Sequence, residues 1–284
     1  MTKREAEVVR ILQMKIVKEI KRICQENNFS FFLDAGSMLG AVRHKGFIPW
    51  DDDMDVGMLY PDYKKFIKVA SAQLGDEFYL DYYPENNECG LVFAKLRLKD
   101  THYVEANSTK RNSKNGIFVD IFPYFFRPEN NGKKLFQDFR LLVSAQIFMA
   151  QAGMNYWKGN NCITRLKYVP IYIAAKLRSH EFWFSKCEKI VSEVTKSTII
   201  GVHDGASYRR WCYPASFLKE MIWVDFENEK FPIPREYHKI LTICYGDYMK
   251  LPPIEQRTPG HIITEIEFGP YKKLLEETSY ENSI

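Results

Sequence analysis

Four carboxylates fall within five residues, at Asp51, Asp52, Asp53 and Asp55, at the end of the stretch LDAGSMLGAVRHKGFIPWDDDMDVG that runs from Leu33 to Gly57. Packing alone does not account for such a density of charge, because an unpaired buried carboxylate is costly. On a strand, successive side chains point to opposite faces, so Asp53 and Asp55 share one face while Met54 and Val56 turn into a core. Two carboxylates on one rigid edge make a divalent-cation site. Hard oxygen donors suit Mg²⁺ or Mn²⁺, and Mg²⁺ commonly combines one or two protein carboxylates with substrate phosphates. The pattern points to phosphoryl transfer on a sheet edge.

The residues just upstream support that reading. An apolar run (Phe29, Phe31, Phe32, Leu33) reads as a strand, Gly36-Ser37 as a tight turn, and Met38, Leu39, Ala41 and Val42 as a short helix. A strand, a small-residue turn and a helix N-terminus expose backbone N–H groups that bind phosphate, with the helix dipole in support. Gly36 and Ser37 are therefore candidate phosphate-binding residues, and Arg43, His44 and Lys45 follow in the next loop. A Gly-Ser pair is also an ordinary turn, and an acidic cluster an ordinary solvated loop. Their order and close spacing favour the site.

The string from Ala35 to Val56 resembles the LicD family of phosphotransferases, the group that includes fukutin and the fukutin-related protein, and with it the nucleotidyltransferase fold. Further stretches carry the resemblance: Ala94–Thr101 (AKLRLKDT), Gly116–Pro123 (GIFVDIFP) and Tyr245–Pro253 (YGDYMKLPP). It implies an α+β chain with a nucleotidyltransferase-like mixed sheet core flanked by helices, to which a mainly helical subdomain is added. The implied catalytic and metal-binding residues are Asp53, Asp55 and Asp120, holding two ions of Mg²⁺ or Mn²⁺, with Asp120 drawing the proton from the acceptor hydroxyl. Arg43, Lys95 and Arg97 are the candidates for neutralising phosphate; Lys95 and Arg97 lie two apart on one strand and share a face. Tyr245, Asp247 and Tyr248 are expected close to the site.

The resemblance also implies the partners. The donor is CDP-choline or another CDP-alcohol, the acceptor a sugar hydroxyl of a cell-surface glycan such as lipopolysaccharide or teichoic acid, lipid-linked in one variant, and the released product CMP. A choline headgroup would want an aromatic box, which 17 tyrosines and five tryptophans permit without identifying. Two alternatives stay open: a nucleotidyltransferase attacking the α-phosphate of a nucleoside triphosphate and releasing pyrophosphate, and a catalytically idle binding protein.

Composition narrows the field further. With 284 residues, 45% hydrophobic and 15% aromatic, the chain builds one large domain or two small ones around a substantial core. Its net charge of +4 is spread along the sequence, which argues against a nucleic-acid partner. The six cysteines form no C-x-x-C pair and the histidines no zinc spacing, consistent with free thiols in a reducing cytoplasm. The N-terminus shows no signal-peptide pattern. Val9, Leu12, Ile16, Ile20 and Ile23 recur at helical spacing, which predicts an amphipathic helix covering the sheet, with a membrane or partner surface as the alternative.

Three parts are expected along the chain: an N-terminal helix and catalytic core over 1–126, a helical aromatic-rich subdomain over 127–200, and a mixed segment over 201–284 that packs back on the core. The first contains a helix from Pro61 to Gln73, strands near Phe78–Tyr83 and Leu91–Leu98, and a polar loop over Glu105–Gly116 that is a candidate lid. Arg127–Lys134 (RPENNGKK) is a breaker. Beyond it, Leu141–Trp157 carries no charge and Tyr168–Ala175 is apolar, yet the first run is interrupted by polar residues and too marginal to span a bilayer. These runs read as buried subdomain helices or, alternatively, as an interfacial surface in weak peripheral contact with the inner face of the membrane. In the last part, Ile222, Val224 and Phe226 alternate as a strand, the FPIP segment Phe231–Pro234 turns the chain, and Tyr237–Tyr245 forms a helix closed by Gly246.

Overall fold

The computed structural model describes residues 1–106, 115–154, 162–202 and 212–277. In order, the elements are α1 (Lys3–Asn27), β1 (Phe32–Leu33), α2 (Ala35–His44), β2 (Asp55–Leu59), α3 (Tyr60–Gln73), β3 (Phe78–Asp81), β4 (Ala94–Leu98), β5 (His102–Glu105), β6 (Phe118–Arg127) and α4 (Asn131–Gln151). They continue with α5 (Cys162–Leu177), α6 (His180–Ser192), β7 (Ile199–Val202), β8 (Cys212–Pro214), β9 (Met221–Phe226), β10 (Glu229–Pro234), α7 (Tyr237–Tyr245), β11 (Ile263–Glu267) and α8 (Leu274–Glu277).

Helix α1 starts at a reciprocal cap, in which the Thr2 hydroxyl accepts from Glu5 N while the Glu5 carboxylate accepts from Thr2 N. Its buried stripe, including Val9, Leu12, Ile16, Ile20 and Ile23, lies against β4 and β6, as the spacing predicts. The sheet has seven strands, with β1-β2-β6-β4-β3 as its main path. The ten-residue β6 serves two neighbourhoods: its first half pairs with β2 and β4, its second half with β7, which β8 extends. Among the described residues only the β2–β6 pairing is parallel, so the sheet is mixed and the fold is α+β.

This register positions the site. The parallel pairing sets Asp55 opposite Asp120, and the antiparallel pairing sets Lys95 opposite the same Asp120. Residues opposite one another across a sheet share a face, so Asp55, Asp120 and Lys95 stand in one row. Gly57 keeps the neighbouring packing tight: a Cβ there would meet the Phe32 ring at 2.5 Å and the Tyr124 ring at 2.9 Å.

The helices after β6 are tied to its far end. The fully buried Arg127 donates from Nε to Gln137 on α4 at 2.7 Å and pairs with Asp138, while Gln137 donates to the Ile190 carbonyl on α6 at 3.2 Å. Leu141, Ala145, Phe148 and Met149 of α4 are buried, whereas Val169, Ile173 and Leu177 of α5 are exposed. No helix among the described residues is long and apolar enough to cross a membrane.

Several local expectations need correction. Strand β2 begins at Asp55, so Asp53 precedes the strand. The FPIP segment does not turn the chain; it is the second half of β10, with Phe231 opposite Val224 and Ile233 opposite Ile222. Its two prolines are tolerated because β10 pairs only with β9, leaving an edge free of required N–H donors. Strand β5 was not anticipated, and it includes Glu105, the first residue of the expected loop; it pairs with β11, which joins residues about 160 positions apart. Residues 107–114 of the candidate lid, and Trp157, lie outside the described residues.

Candidate active site

The site begins where β1 hands over to α2. Asp34 caps the helix, accepting from Ala35 N at 2.9 Å, and its carboxylate also accepts from the Tyr124 hydroxyl at 2.8 Å. Gly36 and Ser37 therefore sit in the first turn of α2, not in a turn preceding it. Gly36 lines a cleft, and a Cβ at this position would meet Asp51 Oδ2 at 2.4 Å, so glycine is what lets that carboxylate approach the helix. The buried Ser37 hydroxyl accepts from Asp55 N at 2.9 Å, which fixes the first residue of β2.

The acidic segment alternates even before the strand begins. Asp51, Asp53 and Asp55 line the cleft, which has a volume of about 570 Å³. Asp52 faces elsewhere and accepts from Gly260 N at 3.1 Å and His261 N at 3.2 Å. Helix α1 holds the segment's backbone: Arg10 donates to the Asp51 carbonyl at 3.2 Å, and the buried Gln13 to the Asp52 carbonyl at 3.1 Å. Beside Asp55 in the sheet, Asp120 lies with its Oδ1 at 3.1 Å from Lys95 Nζ, and the same ammonium is 3.3 Å from Glu105 Oε2.

Burial and mutual repulsion dominate the electrostatics. Burial, then Asp53 and Asp52, push Asp51 up to about 8. Burial raises Asp53 against the opposing charge of His261, and raises Asp55 well above the carboxylate range with help from Asp53 and Asp120. Asp120 is pushed up to about 6 by burial, with Lys95 restraining the rise. Burial alone would pull Lys95 down, but Asp120 and Glu105 together hold it above its ordinary value.

The other expected residues divide. Arg43, Tyr245, Asp247 and Tyr248 line the cleft. His44 stands edge-on to Trp50, with ring centroids 6.1 Å apart, and Lys45 is exposed at the C-terminus of α2. Arg97 shares a face with Lys95, but its guanidinium is committed to Asp81 at 2.7 Å and to the Gly116 carbonyl at 2.8 Å. It does not line the cleft.

A profile of the LicD/FKTN/FKRP nucleotidyltransferase domain matches residues 28–149, which hold all three expected metal-binding aspartates. The lipopolysaccharide cholinephosphotransferase LicD of Haemophilus influenzae is 26% identical over 263 residues, covering 88% of this chain and 93% of that protein. Residues 28–149 thus carry a LicD-family domain. Two other relatives align over shorter spans. The ribitol 5-phosphate transferase FKRP of Mus musculus is 30% identical over 139 residues, covering 44% of this chain and 26% of its own length. An uncharacterized protein of Rickettsia prowazekii is 40% identical over 112 residues, covering 39% of this chain and 40% of itself.

Within this LicD-type domain, the acidic side chains have the chemistry of a hard-cation site: all are oxygen donors, burial raises Asp53, Asp55 and Asp120, and Asp120 Oδ1, 3.1 Å from the Lys95 ammonium, is buried without a hydrogen bond. Among the described residues, the grouping that brings donor atoms within 4.8 Å of one another is Asp52, Asp53 and His261; Asp53, Asp55 and Asp120 stand farther apart. The grouping with His261 is the poorer set. Two N–H groups already satisfy Asp52, and His261 is raised to about 9 by its hydrogen bond to Asp52, against burial and with support from Asp53 and Glu105.

His261 and Glu105 were missed in the sequence. His261 Nδ1 lies 3.4 Å from Asp52 and 3.6 Å from Asp53, and its Nε2 is 3.5 Å from Glu105. A lone histidine more than 200 positions from the acidic run gives no local signal; only the β5–β11 pairing brings it there.

Proposed function

We propose that this chain transfers a phosphoalcohol, phosphocholine in the favoured case, from a CDP-activated donor to a sugar hydroxyl of a cell-surface glycan, releasing CMP. The observation that carries this reading is the row formed by Asp55, Asp120 and Lys95, whose Asp55 lines the same cleft as Asp51 and Asp53. Relatives named for cholinephosphate and ribitol 5-phosphate transfer supply the substrate class.

In this reading Asp53, Asp55 and Asp120 hold Mg²⁺ or Mn²⁺, as two ions. Bound there, the cations supply charge neutralisation on the phosphoryl oxygens and a template for in-line displacement. The protein's own groups do the rest. Asp120 accepts the proton of the sugar hydroxyl, and Lys95 holds that carboxylate in place at 3.1 Å. Ser37 and Gln13 fix the acidic backbone, so little reorganisation accompanies reaction. The exposed apolar face of α5, at Val169, Ile173 and Leu177 beside Lys176 and Arg178, supports an acceptor carried on lipid and a reaction at the inner face of the membrane.

Combining the protein, Mg²⁺, CDP-choline and a mixed pool of surface glycans tests the proposal. The expected products are CMP and phosphocholine-bearing glycan without pyrophosphate. The second reading, nucleotidyl transfer from a triphosphate, draws on the nucleotidyltransferase domain match and on the same carboxylates. Pyrophosphate release from CTP or another triphosphate, with CDP-choline untouched, would decide for it.

A further inference from the structure

The cleft is lined by unlike groups. Besides the carboxylates it holds Arg43 and Lys250, and the indole of Trp50, which also lines the cleft, carries a second guanidinium from Arg257. The two guanidinium carbons lie 5.9 Å (Arg43) and 5.3 Å (Arg257) from the Trp50 ring centroid. Among the described residues, none of these three cations has a carboxylate within ion-pair distance, although Asp247 also lines the cleft.

Backbone carbonyls hold the two arginines in place. Arg43 Nη1 donates to the Tyr248 carbonyl at 2.7 Å, and Arg257 Nε to the Pro252 carbonyl at 2.9 Å. A guanidinium has five N–H donors, so each fork keeps donors for a ligand. Planar forks match phosphate oxygens, and charge-assisted bonds to them are the strong ones. Two like charges fixed beside one ring without a counter-ion are relieved by an anion. Burial and the Arg257 charge both pull Arg43 below its usual range, with Tyr245 opposing, which agrees with that deficit.

We propose that Arg43 and Lys250, which line the cleft, together with Arg257, which borders it across the Trp50 ring, form the subsite for the phosphate that departs with the nucleoside. This inference rests on the transfer reading above. In that reaction the sugar oxygen bonds to the phosphorus bearing the alcohol, and the bond from that phosphorus to the bridging oxygen breaks. The electron pair stays on the bridging oxygen, so the departing nucleoside monophosphate gains one negative charge while the sugar proton passes to Asp120. The carboxylates cannot accept that charge; the three cations can.

The test is calorimetric titration of the full chain in EDTA with CMP and, separately, with cytidine. CMP is expected to bind measurably and cytidine far more weakly, and Arg257→Gln with Lys250→Gln should weaken CMP by about tenfold or more while leaving cytidine unchanged. Arg257→Lys should recover part of the loss, and an unchanged melting temperature excludes a folding defect. CMP binding no tighter than cytidine, or equally tight in the double variant, overturns the subsite. The two proposals fail separately. If CMP binds in this pattern but CDP-choline is never turned over, the transfer reading falls and the anion subsite stands; if turnover proceeds with CMP affinity unchanged in the variants, the subsite falls alone.

Discussion

Asp51→Asn should stabilise the metal-free protein, and increasingly so as the pH rises. Asp51 goes from an ordinary 3.8 to about 8 on folding, through burial and through the neighbouring charges of Asp53 and Asp52. A carboxyl raised in this way favours the folded state fully below pH 3.8, and that contribution is lost as pH rises through the folded value. Between pH 5 and 8 the upper bound is about 4 kcal/mol, at about 1.36 kcal/mol per pH unit. Proton sharing with Asp53 leaves a contribution on the order of 2–4 kcal/mol. An asparagine has no such loss. For a chain of this size, each kcal/mol moves the melting temperature by about 2 °C, so the variant's advantage over wild type should grow by roughly 4–8 °C from pH 5 to pH 8. The comparison cancels groups common to both proteins, including His44 and His180, which burial pushes down and which run the opposite way. Thermal melts in EDTA provide the assay. Adding Mg²⁺ should shrink the difference, because the cation favours the ionised wild-type cluster. A difference that stays flat or narrows from pH 5 to 8 in EDTA would refute the reasoning.

Other variants probe the site and the scaffold. Asp55→Asn should abolish turnover and weaken Mg²⁺ binding with the fold intact; full activity in the purified variant would remove Asp55 from the site. Asp120→Asn should reduce kcat far more than donor affinity, and equal losses would make it a ground-state ligand only. Gly57→Ala forces a Cβ to within 2.5 Å of the Phe32 ring, for an expected loss of about 1–3 kcal/mol in a denaturant titration; a change under about 0.5 kcal/mol would contradict the packing. The protein should bind anionic vesicles weakly at low salt, and Ile173→Glu with Leu177→Glu should abolish this, since those positions are 57% and 69% exposed; no binding by wild type would favour a purely structural role for α5.

How much of this was legible depended on sequence distance. The α1 stripe, α7 and the alternation along β9 announce themselves through local periodicity, and the structure has them where the spacing puts them. Asp120 was singled out through the resemblance of Gly116–Pro123 to the family's strand, and the β2–β6 register sets it opposite Asp55. The FPIP segment misled because proline usually signals a turn, whereas an edge strand lacks the hydrogen-bond requirement that excludes it. Ser37 looked like a phosphate ligand, yet its hydroxyl serves the backbone of Asp55. His261, Arg257 and Lys250 were invisible for a different reason. Each reaches the cleft region only through chain return over roughly 200 residues, and no short-range pattern encodes that.

The hold of α1 on the acidic segment has a practical consequence for anyone shortening this protein. Arg10 and Gln13 donate to the carbonyls of Asp51 and Asp52 from a helix that also covers the sheet. A truncation past Gln13 would strip those carbonyls of their donors, at about 1–3 kcal/mol for each buried group, and release the loop whose orientation aims Asp51 and Asp53 at the cleft. Such a trimmed protein could retain its sheet and much of its helical content, pass a circular-dichroism check, and still be inert.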